Sequence, residues 1–223
     1  MKFYDAHAHR LVAQHGGLLI GLEGKPVFPA AMTNAEAFAA EDKSRLLFAV
    51  EYVTQEAVLG TRPLLKYHPR RERYSPEFVA DSIRRSRPQL CIIDTLNQPH
   101  WQPVDYWRIA AGFPEIQFIF CHAGGYDILD FLKMADFVPN VWLDFSLTQE
   151  YFGWVGDCAR LPHVADCIDY GLKYPRIKRK VFFGSDEPFY SQPLALPRYL
   201  ELADRDLFLE HNYVALLKKA KII

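Results

Sequence analysis

No apolar run in the chain approaches the roughly 18 residues needed to cross a bilayer. The opening segment MKFYDAHAHR has no apolar stretch of the kind a secretory leader requires, so we expect a mature protein starting at Met1 and no membrane partner. Charge of one sign is also missing: 26 Lys and Arg face 27 Asp and Glu, a net charge of -1. With no global field to attract a polyanion, nucleic acid is not expected as a partner. Cysteine is sparse. Cys91, Cys121, Cys158 and Cys167 form no CxxC pair, and two of them fall in strand-like apolar runs. That argues for thiols packed as small hydrophobes in a reducing, cytoplasmic compartment. There is no low-complexity tract, fixed-period repeat or Gly/Ser linker, and the chain is expected to fold as a single domain over residues 1–223.

What is present is an alternation. Short apolar, β-branched or aromatic runs at Lys2 to His7, Gly17 to Leu22, Arg45 to Val53, Pro63 to His68, Leu90 to Leu96, Ile116 to His122, Val141 to Ser146 and Val181 to Ser185 read as strands. The second is the weakest, because glycine is disfavoured inside a strand. Helical patterns lie between them. A capping box at Thr33-Asn-Ala-Glu36 opens a stretch ending near Ser44, and Ser75-Pro76 opens another that sets Phe78, Val79 and Ile83 inward and Arg84, Arg85 and Arg87 outward. Further helices are expected over Asp105 to Ala111, Tyr126 to Phe137, Cys158 to Leu172, and Leu196 to Lys219 with a break near Asp204. The link from Thr54 to Arg62 is too short for a full helix. Eight βα units predict a compact α/β fold, a TIM-like (β/α)8 barrel with one outer helix short or missing. An open doubly wound sheet is the alternative.

In such a barrel the reactive groups sit at the C-terminal ends of the strands. The ionisable residues collect there: His7 and His9 on the first run, Lys66 and His68 on the fourth, Asp94 on the fifth, His122 on the sixth, Asp144 on the seventh and Asp186 on the eighth. Residues two apart on an extended segment share a face, so both imidazoles of His7-Ala-His9 can converge on one ion. Asp5, on that same face, can be the acceptor that orients an imidazole. In Phe120-Cys-His122-Ala-Gly-Gly125 the paired glycines permit a tight turn that leaves His122 at the rim. Asp186, at the end of FFGSDEP, needs a partner charge or an ion if it is buried, or else serves as a helix N-cap.

The order DAHAH, KYHP, FIFCHAGG, VWLDFS and GSDEP resembles the amidohydrolase-related TIM-barrel superfamily, in particular its decarboxylase, hydratase and lactonase branch. The likeness runs from residue 5 to about residue 217, where HNYVALLK is similar to the branch's closing helix. The resemblance implies a divalent metal, usually zinc, held by His7, His9 and Asp186, with a bound water as nucleophile; a carboxylate at Asp94 would suit manganese or magnesium still better. It implies that His122 is the acid or base and that Lys66 and His68 meet a carboxylate or phosphate of the substrate. Arg70, and Arg71 beside it, suit the same anionic group. The chain departs from the pattern at the fifth strand, where a metal-binding histidine is usual and Asp94 stands. Asp94 can ligate a metal in its own right, His100 can reach back from the following loop, or the site can have left metal chemistry behind. A carboxylated Lys66 bridging two metals is a further possibility within the superfamily.

The expected function is therefore metal-dependent hydrolysis of a small anionic lactone, amide or acyl derivative, in which His122, or Asp186 if it lies close to the bound water, accepts the proton and returns it to the leaving group. Its alternatives are decarboxylation, a metal-free ligand-binding barrel, or a nuclease of the TatD-like group, which KYHP disfavours because a metal-bridging glutamate is usual at that place. The stretch from Leu11 to Thr33 suits a lid or a pairing surface. Tyr67, Trp101, Tyr126, Tyr151, Phe152 and Trp154 can wall a planar ligand. A homodimer is expected on base rates alone.

Overall fold

The computed structural model describes residues 3–11, 16–23, 28, 30–56, 60–96, 100–146, 162–189, 196, 200 and 203–223. Eight strands follow one another around a single sheet in chain order: β1 (Tyr4–Ala8), β2 (Gly16–Ile20), β3 (Leu47–Tyr52), β4 (Leu64–Tyr67), β5 (Leu90–Asp94), β6 (Gln117–Cys121), β7 (Val141–Asp144) and β8 (Val181–Phe182). Every neighbouring pair is parallel. Beyond β8 the chain returns to β1, where Ala6 N–H donates to the Phe183 carbonyl at 2.9 Å and Asp186 N–H to the His7 carbonyl at 2.7 Å. The sheet is thereby a nearly closed TIM-like barrel, as the alternation of runs implies.

Most strands stop a residue or more before the ends of the apolar runs that signalled them, and four of the residues that leave the ladder, Leu22, His68, Leu96 and His122, line the barrel mouth. The glycine-rich second run does form a strand. A Cβ on Gly17, which has φ of +142°, would lie 2.0 Å from the carbonyl oxygen of Asp5 on β1, so glycine is what allows these two strands to approach. The interval from Leu11 to Thr33 thus contains a strand of the barrel.

The helices pack outside. They are α1 (Asn34–Ala39), α2 (Pro69–Glu72), α3 (Pro76–Ser86), α4 (Pro103–Gly112), α5 (Ile128–Phe137), α6 (Pro162–Gly171), α7 (Pro175–Lys178) and α8 (Asn212–Lys219). Thr33 and Glu36 form the capping box of α1, which ends sooner than its sequence suggests because Asp42 caps a separate 3-10 turn at Lys43–Arg45. Ser75 caps α3, with Val79 and Ile83 buried and Arg84, Arg85 and Arg87 exposed. The single turn α2, opened by Pro69, is an element the sequence reading left out. Between β3 and β4 no described residue is helical. The start of the expected 158–172 helix lies outside the described residues, and the closing stretch runs through a wide turn at Leu207–His211 into α8. No helix among the described residues is long and apolar enough to cross a membrane.

Side-chain alternation divides the core in two. Leu64, Leu90, Ile92, Ile119, Trp142 and Phe182 pack with Tyr213, Leu216 and Leu217 of α8. Their alternates Leu65, Cys91, Ile93, Phe118, Phe120, Val141 and Leu143 pack against the outer helices. Lys66, Asp94 and Asp144 continue the first set toward the C-terminal ends of their strands. The same face therefore changes from apolar at one end of the barrel to ionisable at the other.

One buried polar side chain pins the outer layer. Asn140 Nδ2 lies 3.0, 3.0 and 2.8 Å from the carbonyl oxygens of Ala110, Phe113 and Ile116, at the turn from α4 into β6. Asn140→Ala leaves those carbonyls without their donor and is expected to cost about 1–3 kcal/mol, read as a lower urea midpoint. Asn140→Asp, whose carboxylate has no hydrogen to donate, is expected not to restore it.

Candidate active site

Seven of the eight residues singled out at the strand ends line one cavity of about 320 Å³: His7, His9, Lys66, His68, Asp94, His122 and Asp186, joined there by Arg70; Asp144 is buried behind His7 and is not part of the cavity wall. Leu22, Phe28, Leu96 and Phe189 complete its wall. Both charged groups and imidazoles are largely withdrawn from water, since His7, His9, Lys66, Asp94, His122, Asp144 and Asp186 are all buried.

Three imidazoles are oriented by what their Nδ1 atoms face. His9 Nδ1 lies 2.9 Å from the Ile20 carbonyl and His122 Nδ1 lies 2.9 Å from the Ser146 carbonyl. A carbonyl oxygen only accepts, so both Nδ1 atoms carry the hydrogen. His7 Nδ1 stands 3.3 Å from Asp144 Oδ2 and 3.0 Å from the Ser146 hydroxyl, with the same consequence. Each ring therefore turns its Nε2 edge to the cavity. His68 is the opposite tautomer: its Nδ1 accepts from Arg71 N–H at 3.3 Å, which leaves the hydrogen on Nε2, 3.4 Å from Asp94 Oδ2.

The Nε2 atoms of His7 and His9 lie 3.1 Å apart, and Asp186 Oδ1 is 3.3 Å from each. Donor atoms on a tetrahedral ion with bonds of about 2.0–2.1 Å stand about 3.3–3.4 Å apart. Two imidazole nitrogens and a carboxylate oxygen at this spacing fit a divalent metal. His122 also offers a nitrogen within 4.8 Å of ligand atoms of His7 and Asp186. A second group within that span, His7, Cys121 and Asp144, shares its space with an ammonium, because Lys66 Nζ lies 2.9 Å from Cys121 Sγ and 3.5 Å from His7 Nε2.

The protonation states follow from these surroundings. Burial and the Lys66 charge push His7 down to a pKa of about 4, so at neutral pH its Nε2 keeps a lone pair. Burial drives His68 down to about 3 against the pull of Asp94. Burial acts the same way on His122, but its hydrogen bond to Asp94 and the charges of Asp94, Asp186 and Asp144 outweigh it and carry the pKa upward. For the three carboxylates burial is likewise outweighed: His68 and His122 hold Asp94 below the ordinary range, and His7 does most to lower Asp144 and Asp186.

Asp5 was expected to orient an imidazole. Its carboxylate instead accepts from the His7 backbone N–H at 3.1 Å and from the backbone N–H and hydroxyl of Ser185 at 3.0 and 2.6 Å. It thus fixes the strand on which the imidazole is mounted. His100 is exposed and is not part of the cavity wall. Tyr67 and Trp101 belong to the outer core and Tyr126 is exposed, while Tyr151, Phe152 and Trp154 lie outside the described residues. The aromatic wall is made by Phe28 and Phe189, whose rings meet edge to face with centroids 4.9 Å apart. Phe28 comes from the interval between β2 and α1, so that interval contributes to the mouth. Ser146, which joins His7, His122 and Asp144, also escaped the sequence reading. Its signal was there: it follows Asp144 by two residues, as His9 follows His7.

Comparison with known proteins agrees with the fold and names the family. The amidohydrolase family model matches residues 88–217, more than half of the chain. The chain belongs to the amidohydrolase family. No curated protein matches it by sequence. Among solved structures it is similar to an uncharacterized TIM-barrel protein of Bordetella bronchiseptica, at 17% identity over 92% of this chain and 78% of that one, with a TM-score of 0.63. It is also similar to amidohydrolase 2 of Bifidobacterium longum subsp. infantis, at 15% identity over 100% of both chains with a TM-score of 0.61. A third is a probable 2-pyrone-4,6-dicarboxylic acid hydrolase of Acinetobacter baumannii with citric acid bound, at 14% identity over 98% of this chain and 100% of that one, with a TM-score of 0.50.

His122 itself has a left-handed backbone, φ 59°, as do Ala123 at 43° and Gly124 at 82°. The turn is held by His122 N–H donating to Asp144 Oδ1 at 3.3 Å and Gly124 N–H to Thr95 Oγ1 at 2.8 Å. A Cβ on Gly124 would lie 2.0 Å from the Phe131 ring. Gly124→Ala combines overpacking with a disfavoured φ, and is expected to cost about 2–4 kcal/mol in urea unfolding.

Proposed function

We propose that this chain is a metal-dependent hydrolase of a small substrate that carries a carboxylate or similar anionic group. The observation that carries the reading is the triangle of His7 Nε2, His9 Nε2 and Asp186 Oδ1, with edges of 3.1, 3.3 and 3.3 Å, at the C-terminal mouth of the barrel. Three protein ligands leave one position open, the arrangement of catalytic rather than structural zinc sites. Two imidazoles and one carboxylate favour zinc, with manganese the next choice. When bound, the ion supplies Lewis acidity and lowers the pKa of water held on it.

The residues of the chain do the rest. His7 and His9 turn their Nε2 atoms to the ion because their Nδ1 hydrogens are committed to Asp144 with Ser146, and to Ile20. His122, beside this group, holds a proton at Nε2 against Asp94 and can deliver it to a leaving group. Lys66, His68 and Arg70 draw the anionic end of the substrate. Leu22, Phe28, Leu96 and Phe189 take its apolar face and exclude water from that side.

The test is elemental analysis of protein purified without chelator or affinity tag, followed by a screen of carboxylated lactones and amides. Near-stoichiometric zinc or manganese is expected in the wild type and its loss in His7→Ala and Asp186→Ala, both still folded. His122→Ala is expected to keep the ion and lower kcat by about 10²–10⁴. A folded wild type that takes up no divalent metal overturns the reading.

A further inference from the structure

We infer that Asp94 is a positioning residue that fixes the His122 ring, and that it does not ligate the metal. The inference rests on the metal-dependent reading above and concerns the place where this chain carries aspartate at the end of the fifth strand.

The argument begins with the edges available to each ring. His122 has committed Nδ1 to the Ser146 carbonyl at 2.9 Å, so Nε2 is the edge that decides how the ring is set about that anchor. Asp94 Oδ2 occupies that edge at 3.2 Å. His68 reaches the same oxygen from the other side: its Nδ1 accepts from Arg71 N–H, and its Nε2–H points at Asp94 Oδ2 from 3.4 Å. Arg70 Nη2 follows at 3.8 Å. The second carboxylate oxygen, Oδ1, accepts from Leu96 N–H at 3.3 Å. The backbone of Asp94 is fixed as well, because its carbonyl accepts from the Tyr106 hydroxyl at 3.3 Å.

A carboxylate offers about four lone-pair sites. At Asp94 the pair on Oδ2 faces two imidazole edges, with the Arg70 guanidinium beyond them at 3.8 Å, and Oδ1 accepts from a backbone N–H. Ligating an ion through Oδ2 would require it to abandon the His122 and His68 edges together, and would leave two buried or half-buried ring nitrogens without their acceptor, at about 1–3 kcal/mol each; turning Oδ1 to an ion instead would take it from the Leu96 N–H. The triangle of His7, His9 and Asp186 asks for no such exchange. Asp94 therefore stands to His122 as Asp144 stands to His7: each carboxylate sits behind or beside an imidazole and sets its plane. The two differ in the edge they hold. Asp144 faces Nδ1 and leaves Nε2 free for an ion, whereas Asp94 faces Nε2.

The experiment is proton NMR of zinc-loaded protein labelled with ¹⁵N-histidine, joined to zinc titration, for wild type, Asp94→Asn, Asp94→Glu and His7→Ala. In the wild type the Nε2–H of His122, distinguished from Nδ1–H by its ¹⁵N correlation, is expected as a sharp downfield resonance protected from water. In Asp94→Asn that resonance is expected to broaden beyond detection while zinc affinity stays within about threefold, and Asp94→Glu is expected to recover part of the signal. His7→Ala should lower zinc affinity at least 100-fold. If Asp94→Asn loses zinc as His7→Ala does, Asp94 is a ligand and the inference is wrong. It is equally wrong if the wild type lacks the resonance, or if the resonance survives unchanged in Asp94→Asn. Failure of the metal reading looks different: the wild type takes up no zinc, and the role of Asp94 is then read from the same resonance compared between zinc-free wild type and zinc-free Asp94→Asn.

Discussion

Asp5 closes the seam of the barrel. Its carboxylate joins His7 N–H on its own strand to the backbone and hydroxyl of Ser185 across the seam, and the same few hydrogen bonds set His7 and His9 against Asp186. Asp186 adopts a left-handed backbone, φ 62°, at a residue that is not glycine. That conformation costs of the order of 1–3 kcal/mol and persists only where its surroundings over-determine it. Here the Asp186 N–H is held by the His7 carbonyl at 2.7 Å, so the strained residue and the imidazole it faces are tied through the backbone. The seam is thus both the weakest part of the sheet, with β8 reduced to Val181–Phe182, and the part on which the spacing of three donor atoms depends.

The buried charges form two parallel pairs with different outcomes. Asp144 lies behind His7 and Asp94 beside His122, and each carboxylate is held ionised by imidazole neighbours. Yet His7 is held neutral and His122 is drawn toward its charged form. The difference lies in what else is near. Burial disfavours the charged form of both; at His7 the Lys66 ammonium 3.5 Å from Nε2 adds to burial and Asp144 and Asp186 do not offset the two, while at His122 the hydrogen bond to Asp94 and the charges of Asp94, Asp186 and Asp144 outweigh burial. One fold position thus yields a ring with a lone pair to share and another with a proton to share, the division of labour that pairs of tuned groups make possible.

The strands and the strand-end residues were legible in the sequence because both follow from short-range pattern. Alternation in LLKY, LCIID and QFIFC fixes which side chains face inward, and the run's last inward residue is then at the mouth. Gly16 and Gly17 misled in degree, since a strand penalty was visible and the close approach of Asp5 was not. The aromatic wall was missed for a related reason. Phe28 lies in a stretch with no periodicity, and its meeting with Phe189 brings together residues more than 150 positions apart, which no local pattern encodes. Asp94 shows the limit most clearly. Its place at a strand end was readable, but its partners come from two other strands' loops, so the choice between ligating and positioning needed the distances.

The closing of the seam also sets an order of events. Asp5 and Ser185 are 180 positions apart in the chain, and His7 and Asp186 nearly as far. At about 5–20 residues per second, roughly 10–40 s of translation separate the two halves of the triangle. During that time β1 has only β2 beside it, and its two imidazoles are without their carboxylate. Contacts of such long range come late in folding as well, since loop-closure entropy must be met before they form. The nascent chain therefore has most of its strands before His7 and His9 can meet Asp186, and the mouth of the barrel at this seam is among the last parts to be assembled.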